Sequence, residues 1–208
     1  MERAGWRPRA AGWFTLPVSD GRLGVVAIGT ASKYSARGEA EATAYVGVRD
    51  ETVEPIICQL CDVKDQGYKQ RTTVAPIGYL MPSKRWRDWL VTPVTAAGVG
   101  EELAAAVVSC AVPFLRELGS DPSKLIDAAK NSIGVHQASG RCRVAVLLAM
   151  AGRVAEAQAW ALESRDKAGD NDAAWATAER HWADSFLRWM ASHAHGASRP
   201  TTLRDQTL

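Results

Sequence analysis

Three tryptophans near the end of the chain, Trp175, Trp182 and Trp189, stand seven residues apart. Seven residues fall only ~20° short of two helical turns, so on a helix these indoles keep to one stripe, with Ala178 and Phe186 beside them. A stripe of indoles has to be covered, so residues 172–190 must be a helix packed against other elements. The segments just ahead supply the cover. Residues 141–151 are apolar nearly all round, as in a helix buried on most sides. Residues 153–167 offer Val154, Ala157 and Ala161, a small-residue face against which wide indoles can pack. The spacing therefore predicts a C-terminal helical bundle with the tryptophan stripe mostly in its core. Trp189, in the last turn, is the indole expected to be left partly exposed.

The first half has a different period. Residues 13–18, then Ser19-Asp20-Gly21, then residues 23–30 read as strand, tight turn, strand. Both alternating sets of the second strand, Leu23, Val25, Ala27 and Gly24, Val26, Ile28, are apolar or small, which predicts a central strand covered on both faces. A third strand is expected over 42–48, with Thr43 and Tyr45 on one side and Ala44, Val46 and Val48 on the other. From Val53 the stripe Val53, Ile56, Ile57, Leu60, Val63 is helical. Residues 74–80 suit an edge strand, because Pro76 cannot donate to a ladder. Residues 82–90 read as a short helix or turn closed by Pro93. Residues 101–118 place Leu103, Val107, Cys110, Phe114 and Leu118 on one helical face, with Pro113 as a kink. Asp121-Pro122 is a cap and first-turn pair for a helix to about Asn131.

A composition of 47% hydrophobic and 23% charged residues excludes disordered and fibrous classes. Four cysteines, behind an N-terminus of arginines and tryptophans with no apolar signal core, predict a cytoplasmic protein with free thiols. The longest uninterrupted apolar run, 144–151, is far shorter than the ~20 residues of a span, so no membrane association is expected. A formal charge of +2 selects no partner, since nucleic acid is attracted by a concentrated basic face rather than by the total.

Chemical motifs are sparse. Cys58-Gln59-Leu60-Cys61 has CxxC spacing, used by zinc sites and redox dithiols. Zinc needs four ligands, and Cys110 and Cys142 supply no second pair. The CxxC also lies within an expected helix rather than at its start, where a thiol's pKa would be depressed. The favoured reading of Cys58 and Cys61 is structural. The cluster Lys84, Arg85, Trp86, Arg87, Asp88, Trp89 mixes cations with stacking surfaces, a combination that holds single-stranded nucleic acid. Its alternative is a short helix anchored by Trp86, Trp89 and Leu90, with the basic residues solvated, and that reading is preferred because no second basic and aromatic platform accompanies it. Arg3, Arg7 and Arg9 would add charge only if the fold brought them near. His136, His181, His193 and His195 have no paired metal spacing, and no G-x-S-x-G elbow or phosphate-cradling glycine loop occurs. One helical hairpin over 147–159 has the look of a tetratricopeptide unit, but a solenoid needs at least three.

The opening Ala4-Gly5-Trp6-Arg7-Pro8-Arg9, then Gly12-Trp13-Phe14, the strand 23–30 and the Lys33-Tyr34 loop resemble a group of uncharacterised bacterial domains of unknown function that begin with a Gly-aromatic-basic turn and an antiparallel sheet. Ile77-Gly78-Tyr79-Leu80-Met81-Pro82 and 86–90 are similar to that group's closing strand and short helix. Those domains usually carry a helix before the first glycine, for which Met1 leaves no room. The resemblance covers about the first hundred residues. It implies an α+β fold with helices on one side of the sheet, and no catalytic residues.

The expected fold is α+β, with an antiparallel sheet of about four strands over residues 1–95 sharing a core with a helical bundle over 96–194, and a frayed tail over 195–208. The expected function is non-enzymatic and without cofactor or metal: a cytoplasmic accessory or immunity-type protein acting through a protein partner. Its contacts are expected among Lys84, Arg85, Trp86, Arg87, Trp89 and Trp189, since tryptophan and arginine are enriched at interface anchors. The alternatives are nucleic-acid association through the 84–89 cluster, and an enzyme whose site no motif reveals.

Overall fold

The computed structural model describes residues 4–31 and 38–194. Arg3, the Lys33-Tyr34 loop and the tail from His195 lie outside the described residues. The chain is α+β: an antiparallel sheet from the N-terminal half and six helices from the C-terminal part.

The strands are β1 (Arg7–Pro8), β2 (Trp13–Ser19), β3 (Arg22–Ala31), β4 (Ala40–Asp50), β5 (Thr73–Pro76) and β6 (Trp89–Val91). They run in the order β1-β2-β3-β4, and the far edge of β4 is shared: β5 pairs with Tyr45 to Val48, and β6 with Ala40 to Ala42. The three strands anticipated in residues 13–48 are present. Gly21 turns the β2–β3 hairpin with φ +68°, a conformation that costs glycine little. β3 is central, and Gly24 to Ala27 are buried irrespective of the face they occupy. The strand expected over 74–80 stops at Pro76, and a 3-10 turn takes Ile77–Tyr79.

Of the short helix or turn expected over 82–90, the turn forms and the helix does not. The chain turns at Lys84, whose φ is +45°, and its backbone then crosses directly over Gly78. A Cβ on Gly78 would lie 2.3 Å from the Arg85 carbonyl oxygen. β6 then fills the stretch of β4 edge that the four-residue β5 leaves open. Trp86, Trp89 and Leu90 suit a helical spacing, but an unpaired strand edge offers three residues a ladder that a lone helix turn cannot match.

The helices are α1 (Val53–Cys61), α2 (Ala96–Ala106), α3 (Val112–Ser120), α4 (Pro122–Lys130), α5 (Ala138–Met150), α6 (Val154–Ala168) and α7 (Ala174–Ala194). Asp50 starts α1: its Oδ1 accepts the backbone N–H groups of Thr52 and Val53 at 3.0 and 3.2 Å. Asp121 caps α4 as anticipated, accepting from the backbone N–H groups of Ser123 and Lys124 at 2.8 and 3.3 Å.

α2 and α3 are joined through a π turn, Val107–Ala111, just ahead of Pro113. The extra residue in a π turn rotates everything after it by about one position, ~100°. Of the expected stripe, Leu103, Val107 and Leu118 are buried, but beyond the π turn Ala111, Val112 and Leu115 take the buried places expected of Cys110 and Phe114, which are half-buried. Ala96–Ser120 is as a whole long and apolar enough to cross a membrane by length and composition, which a count of uninterrupted apolar residues had missed. In this fold its second half lies on the sheet. Leu115 meets Gly24 so closely that a Cβ there would be 2.9 Å from its Cδ1, and a Cβ on Gly119 would be 3.1 Å from Val18 Cγ2. Covering the sheet thus falls mainly to α3, whereas α1 packs mainly between α5 and α7.

One core cluster runs from the helix-facing side of the sheet, through Leu16, Val26, Val46 and Val48, into the bundle, where Val144 to Leu148 of α5, Ala157 and Ala161 of α6, and Trp182 and Phe186 of α7 are buried. Val154 of α6, expected in that face, is exposed. Of the three indoles, Trp182 is fully buried, Trp189 is half-buried against Phe186 and Trp175 is 54% exposed. The exposed end of the stripe is therefore the first turn, not the last. The buried positions of α7 are Ala176, Glu179, Trp182, Ala183, Phe186 and Met190. The ~20° heptad drift carries Trp175 and Trp189 to opposite sides of that line, and only Trp189 finds neighbours there.

Candidate functional site

Alternation along the strands puts Trp13, Thr15, Val25, Ala27, Thr43, Tyr45 and Gly47 on the face turned away from the helices. None of them belongs to the helix-backed core. What covers this second face is a layer of aromatic and arginine side chains from loops. Tyr68 stands edge-on to Trp13, with centroids 5.9 Å apart, and Arg9 and Arg71 lie over the Tyr68 and Trp13 rings. Arg9 Nε also donates to Thr15 Oγ1 at 2.9 Å.

The loop that carries Tyr68 and Arg71 is pinned by Arg49 of β4. Its buried guanidinium donates to Asp65 (2.8 Å), Glu51 (3.0 Å) and the Gly67 carbonyl (2.9 Å). Burial works against the charge of Arg49, and the two carboxylates outweigh it, so its pKa is raised. The Arg49 hydrogen bond in turn holds Asp65 below the usual carboxylate range.

At the other end of this face, Trp86 stands edge-on to Tyr45, with centroids 6.1 Å apart, and stays 46% exposed. Its indole N–H donates to Asp88 Oδ2 at 2.6 Å, and Thr43 Oγ1 donates to Asp88 Oδ1. These groups, with Glu41 and the end of β3 at Gly29 to Ala31, line a recess of about 330 Å³. Among the described residues, two carboxylates and two aromatic rings line it, and no cation does. Leu90, paired with Glu41, is exposed beside it.

The expected 84–89 cluster is therefore split between the two faces of the sheet. Trp89 pairs with Ala42 and is buried in the helix-backed core. Arg87 lies over the Trp89 ring and pairs with Glu102 of α2. Trp86 is on the other face, and Lys84 and Arg85 are exposed in the turn between. Trp189 stacks on His193 at 4.7 Å near the end of α7, remote from this cluster in the chain and in its packing. Of the residues that surround Trp86, Asp88 was named only within the basic cluster and Thr43 and Tyr45 only as one side of a strand, and Glu41 was not singled out. The signal available was the mixed polar and aromatic set Glu41, Thr43, Tyr45 on alternate positions of β4.

Cys58 and Cys61, three apart on α1, face different neighbours. Gln70 Nε2 donates to Cys58 Sγ at 3.2 Å, and burial raises that thiol's pKa. Cys61 is paired instead with the buried Cys142 of α5, and the hydrogen bond from Cys142 lowers its pKa. No group of three or more His, Cys, Asp or Glu side chains is arranged to hold a metal among the described residues.

No protein-family model matches the chain, and no curated protein and no solved structure matches it.

Proposed function

We propose that the protein is a binding module that acts through a protein interface, and that the interface is the helix-free face of the sheet. The observation that carries this is the half-exposed Trp86 indole, set on Tyr45 and flanked by Asp88 and Glu41. An aromatic pair with carboxylates is complementary to a lysine or arginine side chain, which is attracted by the ring faces as well as by the negative charge. Tryptophan, which lines this recess, is among the residue types enriched as interface anchors. The role this suits is that of a cytoplasmic accessory or immunity-type partner.

Single-stranded nucleic acid is the second reading, and the Arg9, Tyr68, Trp13, Arg71 layer favours it by supplying cations over aromatic rings. The same face carries both signs of charge, whereas a phosphate backbone calls for a uniformly positive one. That mixture favours a protein.

A photo-crosslinking amino acid placed at position 86, 45 or 175 in the producing cell tests the reading. Positions 86 and 45 are expected to yield the same discrete protein adduct, lost on Asp88→Lys, and position 175 none. Adducts only to nucleic acid, or the same adducts from all three positions, would overturn it.

A further inference from the structure

A second cavity, also of about 330 Å³, opens on the other side of the loop that carries Arg71. It lies between residues 63–74, the end of α4 and the N-terminus of α5. Its lining is the electrical opposite of the Trp86 recess: Lys64, Lys69, Arg71 and Arg143 are cationic, and none of its lining residues is acidic.

The four cations are not equivalent. Arg143 is already engaged. It forms a two-pronged pair with Glu54, Nε to Oε1 at 2.9 Å and Nη2 to Oε2 at 3.0 Å, and Thr72 Oγ1 donates to the same Oε1 at 2.9 Å. Glu54 is fully buried, so this pair is a structural floor of the cavity.

Arg71 is different. Its Nε and Nη1 are sealed from solvent and have no hydrogen-bond acceptor. The partner it does have is the Trp13 ring, 5.1 Å from its Cζ, which attracts the charge but accepts no N–H in the guanidinium plane. A guanidinium never gives up its proton to relieve burial, so its donors stay charged and unsatisfied. Burial draws its pKa down, and Arg143 across the cavity acts in the same direction. Leaving such donors unpaired costs about 1 to 3 kcal/mol, more for a charged group.

The N-terminus of the 13-residue helix α5 faces the same space through Gln137, Ser139 and Gly140. No side chain caps it, and its first turn holds no acidic residue. Its free backbone donors and dipole add to the positive potential.

We propose that this cavity is a binding site for a small molecule bearing a phosphate group, with the charge of Arg71, whose sealed Nε and Nη1 do not themselves open on the space, adding to that of Lys64 and Lys69. With Glu54 set against Arg143, three uncompensated cations remain around the space. That is more than one carboxylate neutralises, and it suits a dianionic phosphate monoester. The volume lies at the lower end of small-ligand sites, which limits the rest of the molecule to about the size of a sugar or a nucleoside. Gln66, Gln137, Ser132 and Ser139 supply neutral donors and acceptors for it.

The cavity opens on the other side of the loop from the sheet-face interface, with which it shares Arg71, and its occupation does not require a protein partner. The test is isothermal titration of the full chain with inorganic phosphate and with adenosine monophosphate, in chloride buffer of matched ionic strength. Adenosine and succinate serve as controls. Saturable binding of phosphate or of adenosine monophosphate, absent for both controls, is expected. Tighter binding of adenosine monophosphate than of phosphate would assign part of the cavity to the organic moiety; equal binding would assign the site to the free ion. Arg71→Gln is expected to weaken either at least tenfold, and Arg85→Gln, exposed in the turn, to leave it unchanged. Should Arg71→Gln fail to fold, Ser139→Asp is the second variant, because it places a carboxylate in the cavity where a helix N-terminus tolerates one, and it is expected to abolish binding. No saturable binding of either phosphate compound, equal binding of succinate, or unchanged affinity in the folded Arg71 or Ser139 variant would overturn the proposal.

Discussion

Replacing Trp182 by alanine removes the largest side chain at the centre of the bundle. An indole buries roughly 150 to 250 Å², which at about 25 cal/mol per Å² is a gross loss of about 4 to 6 kcal/mol. Partial collapse of the cavity brings the expected cost to about 3 to 5 kcal/mol. The indole N–H is also the donor 2.7 Å from Glu179 Oε2, a carboxylate whose nearest cation, Arg141, is 3.7 Å away. Trp182→Phe keeps most of the apolar area but leaves that buried carboxylate short of a donor, so it should cost about 1 to 3 kcal/mol. Trp175→Ala, at an exposed position, should stay within about 0.5 kcal/mol, and Trp189→Ala should fall between Trp175→Ala and Trp182→Ala. Urea unfolding followed by circular dichroism measures all four. A cost under about 1.5 kcal/mol for Trp182→Ala, or one no larger than that of Trp175→Ala, would refute the placement of the stripe.

Three further perturbations have defined outcomes. Glu54→Gln turns a buried acceptor for Arg143 into a donor and should cost about 3 to 5 kcal/mol, whereas Glu54→Leu combined with Arg143→Met should cost less than the sum of its single changes; additive losses in the denaturation cycle would show the pair is not coupled. Gly47→Ala sets a Cβ 2.0 Å from the Thr73 carbonyl oxygen and 3.3 Å from Arg71 Cδ, so β5 must shift, at about 1 to 3 kcal/mol or more; unchanged stability would place β5 differently. Asp65 has a folded pKa held below its unfolded value by Arg49, so its stabilising contribution is present above about pH 4 and is lost as pH falls through the lowered value. Asp65→Asn should therefore lower stability at neutral pH, and the difference from the wild type should shrink as pH falls through the lowered pKa; a constant difference across the acid range would contradict the Arg49 attachment.

The parts of the fold that were legible are those set by local chemistry. The Ser19-Asp20-Gly21 turn fixed the first hairpin, Asp121-Pro122 fixed the start of α4, and apolar positions all round α5 marked it as buried. The parts that were not legible depend on partners distant in sequence. Residues 86–90 fit a helical period as well as an extended one, and only the open edge of β4 at Ala40 to Ala42 decides between them. The π turn displaced a correctly periodic stripe by one position, which no count of apolar residues could register. Trp86 was singled out, but as a member of a basic cluster. Its actual neighbours come from β4, over forty positions earlier in the chain, and they change the charge around it from positive to negative. The cation-lined cavity joins residues 64–72 to Arg143 and was unreadable for the same reason.

The central claim is that the helix-free sheet face, through Trp86, is where this protein meets its partner. Its most direct test is the affinity of the partner trapped at position 86 for purified Trp86→Ala and Trp175→Ala proteins, measured by calorimetry. An anchor in a desolvated recess is worth about 2 kcal/mol or more, so Trp86→Ala should weaken binding by roughly 30-fold or more, and Trp175→Ala by less than about 3-fold. Equal affinities for both variants, or a larger loss at Trp175, would contradict the claim.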